Sequence, residues 1–72
     1  MLERTKEASE FDILLAQAEA GQKIGSRSFP EGYVATWYET PRGFQFQVRY
    51  DSRTGEPVSV QIVGTEQVFF PS

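Results

Sequence analysis

The side chains that most often carry catalysis are missing from this sequence, which has neither histidine nor cysteine. A catalytic nucleophile would need a lysine as its base, because histidine is the usual general base near neutral pH. Ser26 and Ser28 follow Lys23 closely, but nothing in the pattern orients one toward another. The same absences remove the commonest zinc ligands. We therefore expect no enzyme, no metal site and no cofactor.

Two local patterns have some features of ligand-binding motifs without their spacing. Residues 21–26, Gly-Gln-Lys-Ile-Gly-Ser, contain two glycines and a lysine. The lysine precedes the second glycine, whereas in a phosphate-binding loop it follows that glycine. Asp51 and Glu56 flank a predicted turn, where Asp51 is expected to accept hydrogen bonds from the turn's own amides and not to bind a metal.

The ten aromatic residues indicate binding or packing instead, so the elements that position them must be located. An amphipathic helix is predicted to end at Ala20, and its apolar residues are spaced i, i+3, i+4 and i+7. It begins at Thr5 or at Ser9, which with Asp12 makes a weaker form of the capping box. Gly21 is expected to stop it in the left-handed conformation. The apolar stripe consists of Phe11, Leu14, Leu15 and Ala18.

Alternating apolar and polar residues predict an antiparallel meander after the helix. Residues 21–32 are interpreted as a connection whose Ile24 and Phe29 reach the core. Gly64 is a candidate β-bulge. Strands are predicted over Gly32–Thr40, Phe44–Tyr50 and Val58–Thr65, with a short fourth strand over Gln67–Phe70.

The register of the first hairpin has two solutions, and they place Trp37 on opposite faces. A type I turn with a left-handed Gly43 in a bulge pairs Thr40 with Phe44 and leaves Trp37 on the face away from the helix. A plain four-residue loop closing Glu39 onto Phe44 shifts the register by one residue and buries Trp37. The Pro-x-Gly sequence favours the bulged turn.

These elements predict an α+β fold with one N-terminal amphipathic helix packed on a three- to four-stranded antiparallel β-meander, in the order α-β-β-β. Residues 1–72 are interpreted as a single domain, with residues 1–8 expected to fray. At 72 residues the chain is near the lower limit for folding on a hydrophobic core alone. Homodimerisation is therefore one expectation for burying more surface.

The candidate binding surface is the sheet face that the helix leaves uncovered. Tyr33, Trp37, Gln47 and Arg49 are predicted to lie there, and Trp, Tyr and Arg are enriched in interface hot spots. We therefore predict a protein-binding or homodimer surface. The alternative interpretation is that Trp37 belongs to the core and that the outer face is merely polar.

The charge distribution weighs against general binding of phosphate backbones. Residues 1–21 carry five acidic and two basic side chains, a net charge of −3, whereas residues 22–72 carry five of each. A duplex-DNA binder usually has a basic face. Single-stranded nucleic acid remains the alternative partner, with Trp37 or Tyr33 stacking on bases and Arg42, Arg49 and Arg53 contacting phosphates.

An acidic helix offers a secondary surface, which could dock on a basic partner or mimic phosphates. Its acidic residues are Glu3, Glu7, Glu10 and Asp12, with Glu19 near the end. The simpler interpretation is a solvated helix face.

The function predicted from these features is a small non-enzymatic protein-interaction module, of the kind found among phage or plasmid regulators and inhibitors. Another protein, or a second copy of the chain, is the expected partner. The longest apolar run, Ile13–Ala16, is far shorter than the roughly 20 residues of a membrane span, so no membrane association is expected. No basic region followed by an apolar stretch opens the chain, and a cytoplasmic location is the default expectation.

Overall fold

The fold is one helix followed by a five-stranded antiparallel sheet, which confirms the predicted α+β arrangement. A computed structural model describes residues 9–71 of the chain. Its helix has ten residues, and no helix in this part of the chain is long and apolar enough to cross a membrane. The elements are α1 (Glu10–Glu19), β1 (Gln22–Phe29), β2 (Tyr33–Glu39), β3 (Gln45–Asp51), β4 (Pro57–Ile62) and β5 (Val68–Phe69).

Helix α1 begins with the capping box that the sequence indicated. Ser9 has an extended backbone, and its Oγ accepts a hydrogen bond from the Asp12 N–H at 3.2 Å. The Asp12 carboxylate in turn accepts from the Ser9 N–H at 3.4 Å, so two amides at the helix start have partners. The alternative start at Thr5 is wrong, because it would place Ser9 inside the helix. Thr5 and the expected fraying of residues 1–8 lie outside the described residues.

Gly21 follows the end of α1 for a different physical reason than the one predicted. Gly21 does not adopt a left-handed conformation, and the helix closes on Ala20 with αR geometry. A Cβ atom at Gly21 would instead lie 2.6 Å from the carbonyl oxygen of Glu39 and 3.3 Å from that of Ala18. Gly21 is therefore required for the close passage of the chain between the helix end and strand β2.

Strand β1 was not predicted from the sequence, because three glycines and two serines in residues 21–32 indicated a loop. It pairs along β2, with a shift between Lys23 and Gly25, and makes the edge of the sheet. The expectation that Ile24 and Phe29 reach the core is wrong. Ile24 is 46% exposed, and Phe29 packs on Tyr33 with ring centroids 4.6 Å apart.

The hairpin between β2 and β3 has the bulged register. Gly43 has a φ of +92°, in the left-handed region that favours glycine. The Thr40 N–H donates to the Phe44 carbonyl at 2.8 Å, and the Gly43 N–H donates to the Thr40 carbonyl at 2.9 Å. Trp37 consequently lies opposite Gln47, and the prediction that places Trp37 away from the helix is confirmed.

The last two strands are shorter than their patterns suggested. Strand β4 ends at Ile62, and Gly64 lies in the following turn with a φ of +93°, so the prediction of a bulge there is wrong. The turn holds the Thr65 side chain, whose hydroxyl donates to the Ile62 carbonyl at 2.8 Å. Only Val68 and Phe69 then pair with β4.

The core lies between α1 and the central strands, as the amphipathic patterns predicted. Half-buried Leu14, Leu15, Ile62 and Phe69 pack around its edge. Val48 and Val60 face each other across β3 and β4 and have no exposed surface. The buried apolar cluster consists of Phe11, Ala18, Phe46, Val48 and Val60.

A hydrogen-bonded chain of side chains fastens α1 to the sheet beside this core. The Tyr50 hydroxyl donates to a carboxylate oxygen of Glu19 at 2.7 Å. Because Tyr50 has only one hydroxyl proton, the 2.8 Å contact between the two tyrosine oxygens is a bond donated by Tyr38. Burial, followed by the hydrogen bonds with Tyr38 and Glu19, raises the pKa of Tyr50 well above its ordinary value of 10.0.

This arrangement predicts a loss of stability in alkali that depends on Tyr50. The folded state keeps the Tyr50 proton at pH values where the unfolded chain loses it. The contribution of the protonated hydroxyl to the free energy of unfolding is therefore fully present below pH 10.0 and declines as the pH rises above it. Urea midpoints measured from about pH 8 to about pH 11.5 should fall more steeply for the wild type than for Tyr50→Phe. Tyr33→Phe, on the other sheet face, is the matched control. Equal slopes for the wild type and Tyr50→Phe would contradict the prediction.

Candidate interaction surface

The sheet has one face packed on α1 and one face that no element of residues 9–71 covers, which we call the open face. It is made by the alternate residues of each strand that point away from the core cluster. Its central residues are Gly25, Arg27 and Phe29 of β1; Tyr33, Ala35 and Trp37 of β2; Gln45, Gln47 and Arg49 of β3; and Ser59 and Gln61 of β4.

The four residues predicted for this surface do lie together on it. Trp37 stands between Gly25 and Gln47 on the neighbouring strands. Tyr33 lies four residues before Trp37 on β2, and the Arg49 guanidinium carbon is 4.8 Å from the centroid of the Tyr33 ring. Tyr33, Trp37 and Gln47 are half-buried, whereas Arg49 is exposed. The placement follows from the bulged turn, since a register shift by one residue would move every side chain of β2 to the opposite face of the sheet.

Two residues of the open face were missed by the sequence reasoning, because β1 was interpreted as a loop. Phe29 packs edge-on against Tyr33 at an interplanar angle of 81°. The Arg27 guanidinium carbon lies 5.1 Å from the Phe29 ring centroid. With β1 included, the open face carries one continuous series of cations and rings. This series, which we call the cation–ring row, consists of Arg27, Phe29, Tyr33 and Arg49.

Small side chains lie beneath the larger ones and make the open face shallow. Ala35 has no exposed surface and Ser59 only 5%, although no described element packs over them. Ala35 lies between Arg27 and Arg49 on the two neighbouring strands, and Ser59 pairs with Arg49. Neighbouring side chains of the sheet therefore cover these two positions. The result is a flat surface of rings and guanidinium groups, with the shape of a docking surface more than that of a ligand pocket.

The acidic helix, predicted as a secondary surface, has structural uses for much of its charge. The Asp12 carboxylate belongs to the capping box, and that of Glu19 accepts from Tyr50. Glu10 is exposed in the first turn, where a negative charge is stabilised by the helix dipole. Glu3 and Glu7 lie outside the described residues. Binding of a basic partner by this helix stays a prediction.

A concave groove lies on the helix side of the sheet, at the end of α1. This groove of about 490 Å³ is formed by Gln17 and Ala20 of the helix and by the β2–β3 turn, including Phe44, which is 59% exposed. Arg42 is the charged side chain in its lining. The groove offers no acid–base pair, but Arg42 and Phe44 provide control positions away from the open face.

Metal-binding geometry is not found in residues 9–71, where no three acidic side chains come together to hold an ion. The prediction that Asp51 accepts hydrogen bonds from the amides of its own turn is confirmed, since its Oδ1 accepts from the N–H of Arg53 at 2.7 Å and from that of Thr54 at 3.3 Å. Comparisons of the chain with models of known protein families, with curated proteins and with solved structures find no match. The open face is thus the feature from which a function can be argued.

Proposed function

We propose that this protein is a small non-enzymatic interaction module that binds another protein through the open face, centred on Tyr33, Trp37, Gln47 and Arg49. A cytoplasmic regulator or inhibitor is the role that suits such a module. The observation that carries the proposal is that Trp37 and Tyr33 lie on a sheet face that no element of residues 9–71 covers. Trp37 is the chain's one tryptophan, and the Arg49 guanidinium stacks on the ring of Tyr33.

A partner that covers these aromatic side chains buries much apolar area at a small cost in ordering. Aromatic rings bury large areas on docking and have only two side-chain torsions to restrain. Tyr33 is already held by contacts with Phe29 and Arg49, so little further ordering is needed when a partner covers it. Rigid, half-buried aromatics of this kind are typical of interface hot spots.

Single-stranded nucleic acid is the competing partner, since the same rings could stack on bases. The net charge of −3 and the presence of only two arginines on the central open face favour a protein instead. Nucleic-acid binding weakens steeply with salt because counterions are released, and this property distinguishes the two partners.

The experiment selects ligands from a displayed library of random peptides on the full chain and then measures each selected peptide by Trp37 fluorescence. Trp37 is the chain's one tryptophan, so its emission and its quenching by acrylamide report directly on the open face. We expect selected peptides to protect Trp37 from acrylamide. Trp37→Ala and Tyr33→Ala, followed by anisotropy of labelled peptide, should each weaken binding about thirtyfold or more, as hot-spot truncations do.

The matched controls are Phe44→Ala and Arg42→Gln on the helix side of the sheet, which should leave peptide binding unchanged. Peptides that bind Trp37→Ala as tightly as the wild type would show that the open face is the wrong surface. Binding of oligothymidylate with a steep salt dependence, in the absence of selectable peptides, would assign the nucleic-acid function instead.

A further inference from the structure

The cation–ring row carries information about the partner's chemistry that the aromatic residues alone do not give. Arg27 and Arg49 are both exposed, and each lies over an aromatic ring within the range of a cation–π contact. Stacking occupies the flat side of a guanidinium and leaves its N–H groups at the edge for other partners. Those groups match a carboxylate in a two-pronged hydrogen bond.

The described residues do not use these donors. Neither Arg27 nor Arg49 forms an ion pair or a side-chain hydrogen bond within residues 9–71. The acidic side chains on the same face, Glu39 and Asp51, stand at its two ends, and Asp51 Oδ1 already accepts from turn amides. The centre of the open face is therefore locally positive on a molecule whose net charge is negative.

The spacing of the two arginines fits an extended segment. Both lie beside Ala35 on the strands flanking β2, so their Cα atoms are about 10 Å apart, twice the distance between neighbouring strands. Side chains on one side of an extended peptide recur about every 7 Å. The long arginine side chains accommodate the difference, and Ala35 between them is fully buried, so no side chain of β2 protrudes between the two arginines.

A second copy of the chain is a less suitable partner for the centre of the open face. Face-to-face pairing about a two-fold axis would bring two cation–ring rows together, placing four guanidinium groups in one interface. Like charges brought together and desolvated oppose association.

We propose that the partner bound by the open face presents an acidic, extended protein segment whose carboxylates are held by Arg27 and Arg49. The proposal rests on the proposed function and specifies its ligand. Arg27 and Arg49 hold carboxylates at the two sides of β2, while Tyr33 and Trp37 supply the apolar contact between and beside them. Charge complementarity over this patch sets specificity and the rate of association.

The test uses a fluorescein-labelled peptide of about eight residues that alternates Asp and Thr, long enough to cross the five strands. The matched probe replaces every Asp by Asn. By anisotropy with the full chain, the Asp peptide should bind at least about tenfold more tightly than the Asn peptide, because charge-assisted hydrogen bonds are the stronger ones. Arg27→Gln and Arg49→Gln should each weaken the Asp peptide about tenfold, whereas Arg53→Gln, at the β3–β4 turn, should not.

Other outcomes of these measurements would overturn the acidic-partner proposal or identify a different occupant of the open face. Equal affinity for the Asp and Asn peptides, or equal losses with Arg27→Gln and Arg53→Gln, would overturn the acidic-partner proposal. If library-selected neutral peptides still require Trp37, the proposed function stands and only the acidic chemistry fails. Tighter binding of oligothymidylate than of the Asp peptide, or a dimer in sedimentation equilibrium that Trp37→Ala dissociates, would assign a different occupant. Urea midpoints verify that each variant is folded.

Discussion

Replacing Phe46 with alanine is expected to lower the free energy of unfolding by about 3–5 kcal/mol, the range for truncating a buried phenylalanine. Phe46 is 4% exposed and belongs to the cluster that joins α1 to strands β3 and β4. A domain of 72 residues has about 4–11 kcal/mol of stability in total. Urea denaturation followed by circular dichroism should therefore show that Phe46→Ala removes a large part of this stability and moves the urea midpoint far below that of the wild type.

The control for this prediction is two residues away on the same face of the same hairpin. Phe44 is 59% exposed because it lies beyond the end of α1, and Phe44→Ala should change stability by no more than about 0.5 kcal/mol. The two variants remove the same atoms, so the difference between them measures burial. Similar urea midpoints for both would mean that α1 does not pack on the sheet as described.

Adding one methyl group at Gly21 is expected to destabilise the fold by about 2 kcal/mol, within the range for overpacking a closely packed site. Its Cβ would lie 2.6 Å from the Glu39 carbonyl oxygen and 3.0 Å from the carbonyl carbon. Both atoms belong to the backbone at the end of β2, so no side-chain rotation relieves the clash. The helix end must move away from the sheet, and thermal or urea unfolding of Gly21→Ala would show the effect.

Gly25→Ala is the matched control for this second prediction. It adds the same methyl group to β1, where the nearest atom is Cε3 of Trp37 at an ordinary contact distance of 4.0 Å. Because alanine restricts the unfolded chain more than glycine does, this variant should be neutral or slightly stabilising. A Gly21→Ala chain as stable as Gly25→Ala would contradict the close passage between α1 and β2.

Local signals in the sequence were sufficient for the helix and for most of the meander. The spacing of Phe11, Leu14, Leu15 and Ala18 places one apolar stripe on α1, and strict alternation from Phe44 to Tyr50 gives β3 one buried face. Thr-Pro-Arg-Gly-Phe selects the bulged turn because only glycine adopts its left-handed position without strain. That single turn sets the register of β2 and, through it, the face on which Trp37 lies.

Strand β1 shows where local signals failed. Its glycine and serines have low strand propensity, and edge strands of this composition form because a neighbouring strand supplies the hydrogen bonds. The pairing partner of β1 is β2, which begins only after the turn that follows Phe29, so the local composition carried no sign of it. Missing β1 meant missing Arg27 and Phe29, half of the cation–ring row.

By itself, then, the sequence determined the fold class, offered Ser9 as one of two helix starts, and favoured the bulged hairpin that places aromatic residues on the uncovered face. These features depend on interactions within a few residues or within one hairpin. Only the tertiary structure decided that Gly21 serves a close approach, that Tyr50 links Tyr38 to Glu19, and that Arg27 and Arg49 flank Ala35. The first two arrangements join the end of the helix to the sheet, and the third spans three strands, so each exists only once more than one hairpin or the helix and the sheet have assembled.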